Sequence, residues 1–67
     1  MNQQENYLAR AEQLIIEQEQ RITRQTITIE RSTKNGYDIT EAEQVLEALE
    51  NFLIDLYAFR KKLLNKS

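Results

Sequence analysis

The side chains best suited to chemistry in this chain are its glutamates and arginines, and neither set is spaced for catalysis. Glu43 with Glu47, and Glu47 with Glu50, fall on one helix face. Bundles that hold two metal ions use inward carboxylates of this kind, but they add a Glu-x-x-His pair. The chain has no histidine and no cysteine. That removes an ordinary zinc or thiolate site and the commonest base and nucleophile of enzyme catalysis. Ser32, Ser67 and the tyrosines have no recognisable catalytic neighbours, and there is no glycine-rich phosphate loop. The acidic pairs read as a solvated face. The expectation is a non-enzymatic protein with no cofactor and no metal.

The arginines raise a second possibility. Arg10, Arg24 and Arg31 occupy one position of a seven-residue repeat, and Arg21 lies nearby. Small homodimeric hairpin bundles can bind RNA on such a face. Glu17 interrupts this row and Glu30 adjoins its end. The net charge is −2, whereas nucleic-acid domains are usually strongly basic. Aromatic residues placed for base stacking are not evident. RNA binding through Arg10, Arg21, Arg24 and Arg31 is therefore the alternative reading, and a solvated face is the preferred one.

A membrane role fares no better. Leu56 to Leu64 resembles a basic amphipathic segment, but its apolar residues are needed for a helical core. Apolar runs such as Phe52-Leu53-Ile54 are far shorter than the ~20 residues of a membrane span. The polar start, Met1-Asn2-Gln3-Gln4-Glu5, is not a signal peptide. Lack of cysteine is compatible with a reducing compartment, and a cytoplasmic location is expected.

What the residues do specify is shape. Leu8, Ala11, Ile15, Ile22 and Ile29 follow a 3-4 heptad spacing. Ala42, Val45, Leu49, Phe52, Leu56, Phe59 and Leu63 repeat it without a break. The only glycine, Gly36, separates the two stripes, and there is no proline. This pattern predicts an all-α, antiparallel two-helix coiled-coil hairpin. The single domain covers 1–67, with helices over about 4–34 and 40–65 and a turn at 35–39. The β-branched stretch Thr26 to Ile29 resembles a strand locally, but the repeat continues through it. Gly36 suits the left-handed position after a helix end. Thr40-Glu41-Ala42-Glu43 fits a capping box, with Thr40 as N-cap and Glu43 reaching back.

The stripes also predict a register. A turn near Tyr37 pairs Ile15 with Phe59, Ile22 with Phe52 and Ile29 with Val45. The same register pairs Ala11 with Leu63, Gln18 with Leu56, Gln25 with Leu49 and Ser32 with Ala42. Glu5, Glu12, Glu17 and Glu19 then lie beside Arg60, Lys61, Lys62 and Lys66. Arg21, Arg24, Arg31 and Lys34 lie opposite Glu41, Glu43, Glu47 and Glu50. Exposed pairs are weak individually, so this pattern speaks for orientation more than stability. Gln18 and Gln25 read either as half-exposed polar layers or as register-setting ones.

On this register Leu46, Leu53, Tyr57 and Leu64 are surplus to the hairpin. Leu14, Ile16, Ile27 and Ile54 add to the excess. Such a band marks an interface. A chain of 67 residues buries little surface alone and lacks disulfides, so self-association is the expected source of further stability. The predicted assembly is a homodimer forming a four-helix bundle. The competing occupant of that face is an unknown partner protein.

Several motifs run in a recognisable order. They are Leu8-Ala9-Arg10-Ala11-Glu12, Arg21-Ile22-Thr23-Arg24-Gln25, Gly36-Tyr37-Asp38, Glu41-Ala42-Glu43 and Leu63-Leu64. Over about residues 7 to 64 the chain resembles a group of small helical-hairpin proteins of proteobacteria, abundant in rhizobia and their relatives. Members of that group often carry histidines in both helices; this chain has none, so a role for those side chains does not transfer. The group has no established function. The resemblance implies a free-standing cytoplasmic bacterial protein, most simply a protein-interaction or regulatory module.

Overall fold

A computed structural model describes residues 3–66, the side chain of Gln4 apart. It contains α1 (Gln3–Lys34) and α2 (Thr40–Asn65), packed as a hairpin. The boundaries match those read from the heptads. The β-branched stretch of α1 is helical, for a visible reason. Thr23, Thr26, Thr28 and Thr33 each donate a hydroxyl hydrogen bond to the carbonyl four residues back, at 2.8–3.1 Å. The threonines therefore satisfy their hydroxyls without leaving the helix.

α1 ends at the glycine. Gly36 has φ +75°. Its N–H donates to the Thr33 carbonyl at 3.1 Å, and the Tyr37 N–H donates to the Ser32 carbonyl at 2.9 Å. These are the two bonds of a Schellman closure, which satisfies carbonyls left over at a helix end.

The start of α2 differs from the expected capping box. The Glu43 N–H donates to the Ile39 carbonyl at 2.8 Å, so Ile39 occupies the N-cap and no side chain caps it. Thr40 lies one residue further in. Its N–H and its hydroxyl both donate to Asp38 Oδ1, at 3.0 and 2.7 Å. Asp38 thus turns the chain into the helix, as aspartate does in Asx turns. These bonds, the backbone one foremost, hold the Asp38 carboxyl below its ordinary pKa.

The seam between the helices departs further from expectation. α1 shields Leu8, Ala11, Ile15, Gln18, Ile22, Gln25, Ile29 and Ser32, its predicted stripe. On the other side the N-cap Ile39 and, in α2, Ala42, Leu46, Leu49, Leu53, Leu56, Arg60 and Leu63 are shielded. Val45, Phe52 and Phe59, expected in the core, remain 46–49% exposed. α2 is therefore rotated about 50° from the predicted orientation, on the geometry of 3.6 residues per turn.

Hydrogen bonds show why. Gln18 Nε2 donates to the Leu49 carbonyl and Gln25 Nε2 to the Ala42 carbonyl, both at 2.9 Å. A helix carbonyl points towards the residue four positions later. The bonds accordingly place Gln18 level with Leu53 and Gln25 level with Leu46. Extending that register pairs Leu8 with Leu63, Ile15 with Leu56, Ile22 with Leu49 and Ile29 with Ala42. Ile15 and Leu56 are 3% and 6% exposed, as one buried layer requires. Ala11, fully shielded, falls opposite Arg60. On that register each α1 residue meets a position three residues earlier in α2 than predicted, while the connection itself, residues 35–39, is still centred on Tyr37.

Gly36→Ala should destabilise the hairpin by about 1–2 kcal/mol, because a Cβ is strained at positive φ even in open space. A urea midpoint equal to that of the parent would refute this. The depressed carboxyl of Asp38 contributes stability above its unfolded pKa, and that contribution disappears as pH falls through the folded value. Thr40→Val removes one donor and should raise the Asp38 pKa in an NMR titration; an unmoved pKa would remove the hydroxyl from the account.

Candidate functional site

The hairpin measures 51 × 16 × 11 Å, a single layer of two helices with two broad outer faces. The contacts bordering the seam tell the faces apart. On one face the Tyr57 hydroxyl donates to Glu19 Oε2 at 2.9 Å. Arg60 lies 3.6 Å from the Glu12 carboxylate, and its guanidinium carbon sits 5.2 Å from the centre of the Tyr57 ring. The Tyr57 phenol is pushed above its ordinary pKa, chiefly because it donates to the Glu19 carboxylate. Glu12 and Arg60 join the helix ends paired by charge in the sequence. This face is a polar stitch between the helices.

The opposite face has a different character. Val45, Phe52 and Phe59 recur every seven residues on the other flank of the seam. Tyr7, Leu14 and Arg21 form the matching flank of α1. Tyr7 is 50% exposed and Leu14 half-buried. Two phenylalanines and a valine recur about 10 Å apart along one flank and form a row of half-exposed apolar side chains beside Leu14 and Tyr7, a larger apolar patch than one exposed residue makes.

The four residues expected to form the interface lie within about 40° of one another around α2, at 3.6 residues per turn, and differ in how far the seam covers them. Leu46 and Leu53 lie half-buried in the seam. Tyr57 and Leu64 lie on the stitched face, 37% and 51% exposed. The strip of Val45, Phe52 and Phe59 is what the sequence reading assigned to the core. One signal near the turn separates the two candidate rows. The row through Leu46 and Leu53 begins at apolar Ile39, and the row through Phe52 begins at charged Asp38. Arg60 at the far end of the first row masks that signal.

The glutamine layers are satisfied. Gln18 is 2% exposed; it donates to Leu49 and its Oε1 accepts from Arg21 Nη1 at 3.1 Å. Among the described residues no buried side-chain nitrogen or oxygen lacks a partner. Arg10, Arg24 and Arg31 are exposed along α1, and Arg21 is exposed but tethered to Gln18. The carboxylates of Glu43, Glu47 and Glu50 are on exposed positions of α2. Among the described residues no cluster of His, Cys, Asp or Glu is placed to hold a metal ion. A shallow hollow bounded by Ile16, Gln20, Thr23 and Arg24 lies on α1 alone, so no second element closes it from water. No described helix is long and apolar enough to cross a membrane.

No protein-family model, curated protein or solved structure matches the chain.

Leu53→Glu should unfold the hairpin, since it puts a carboxylate into the seam beside Gln18. The measurement is helical ellipticity against temperature at micromolar concentration. A parent-like melting curve would move Leu53 out of the seam.

Proposed function

We propose that this chain is a cytoplasmic, non-enzymatic interaction module that works as a homodimer. A second hairpin covers the strip of Val45, Phe52 and Phe59 and completes a four-helix bundle. The observation that carries this reading is the unpartnered apolar strip on a fold one layer thick. Stable domains bury the apolar side of each layer against another layer.

The exposed area supports the same reading. The hairpin presents 5271 Å² to solvent. A compact protein of its 8.0 kDa mass exposes about 4,500 Å². The excess is roughly the ~800 Å² that each partner buries in a standard interface. Fully burying one large apolar side chain is worth about 1.5–3 kcal/mol, so covering the exposed half of three is a substantial driving force for a domain this small. After pairing, the charged rows and the exposed Ile16, Ile27, Ile54 and Leu64 remain on the surface, and protein recognition would fall to them.

Light scattering over a concentration series should give a mass near twice 8.0 kDa. Phe52→Glu should return the mass to that of one chain while helical ellipticity persists, because Phe52 lies outside the seam. A parent protein that stays monomeric at every concentration would overturn the homodimer.

A further inference from the structure

The homodimer reading leaves open how the second hairpin lies on the first, and the chemistry of the strip answers it. We infer that the two hairpins pack antiparallel, with their turns at opposite ends and a twofold axis passing beside Phe52. This inference rests on the homodimer reading.

Two face-to-face arrangements are compatible with twofold symmetry. With turns at opposite ends, each α2 lies on the partner's α2. Centred on Phe52, this stacks Phe52 on the partner's Phe52 and Val45 on the partner's Phe59. Apolar side chains meet apolar ones along the strip. At its outer rim Glu41 falls beside the partner's Lys62. On the α1 side Glu17 falls beside the partner's Arg21, and Tyr7 lies under the partner's Arg31. Near the axis the two Arg21 side chains also approach each other, offset by about 6 Å along the helices, and Glu17 of the partner subunit stands beside each.

With turns at the same end, each α1 lies on the partner's α2. That sets Arg21 on the partner's Phe52 and Thr28 on the partner's Val45. It also places Arg10 beside the partner's Lys62 and Glu17 beside the partner's Asp55. Two of its rim contacts join like charges, which isologous symmetry doubles, against one, Arg31 with Glu41 of the partner subunit, that joins opposite charges. Charge complementarity of this kind selects orientation more than it adds affinity. The opposite-end arrangement also gives Arg21 and Arg31 protein partners, so the arginines that resemble an RNA-binding row become rim residues of the bundle.

The test uses exposed rim residues, which spare the fold. Lys62→Glu faces the partner's Glu41 in the opposite-end dimer and should raise the dimer dissociation constant about 3- to 10-fold at low salt. Glu41→Lys should do the same. The double variant carrying Glu41→Lys and Lys62→Glu should restore the parent value, and high salt should compress all these differences. In the same-end dimer Lys62→Glu would instead pair with the partner's Arg10 and tighten association. Tightening, or no change in either single variant, overturns the inference. A second measurement is independent of charge. The chain has no cysteine, so Phe52→Cys carries a single thiol. Oxidation by dissolved oxygen should link two copies through it. A variant that is dimeric by light scattering and yet forms no link also overturns the orientation. A monomeric parent protein would instead overturn the homodimer itself.

Discussion

The register of α2 against α1 is held by two glutamine amides that reach across the seam to backbone carbonyls. Gln18 and Gln25 bond Leu49 and Ala42 at equal distances. A carbonyl within a helix already accepts from its own turn, but it has a second lone pair. A seam that offered these amides no acceptor would leave a buried polar group unpaired, at a cost of about 1–3 kcal/mol. Sliding the helices by a half-heptad would strand both amides at once. Which leucines are shielded and which aromatic row faces outwards are consistent with this constraint.

The closed turn works with the glutamines. The Schellman bonds at Gly36 and the Asp38–Thr40 contacts leave few residues between the helices. A short, fully bonded connection fixes the phase with which α2 enters the pair. Ile39 enters the seam at the first layer, and the row of Leu46 and Leu53 follows it by the seven-residue repeat. The row of Phe52 then has no place inside. Large aromatic rings are thereby displaced from a seam whose α1 side supplies alanine, serine and glutamine. Aliphatic leucines and the stem of Arg60 fill it instead, with the Arg60 charge kept at the edge near Glu12.

That arrangement gives the hairpin two unlike faces. The Tyr57–Glu19 and Glu12–Arg60 contacts dress one with hydrogen-bonded polar groups. The other carries valine and two phenylalanines at every seventh position. A chain this small has a thin core, and an apolar strip left in water weakens its case for standing alone. The proposed self-pairing would link stability to function: a core shared by two copies would set the life of the dimer, and the outer rows would be free for recognition.

Much of this molecule was legible in its residues. Heptad spacing, Gly36 and the missing proline are local signals, and local physics decides helix, turn and helix. The α1 stripe was equally plain, because only one of its rows is apolar throughout. Histidine and cysteine are absent from the composition, and no tertiary arrangement supplies them. The α2 stripe was not legible in the same way. Two rows share Ala42, Leu49, Leu56 and Leu63, and the row with two phenylalanines is the more hydrophobic. Hydrophobicity ranks rows by how much they would gain from burial, and it takes no account of what faces them. Only the folded pair supplies that second half, where two amides need carbonyls and a closed turn sets the phase. The same residues that looked like core thus became surface, because packing selects for fit between two helices and one helix alone carries no record of its partner.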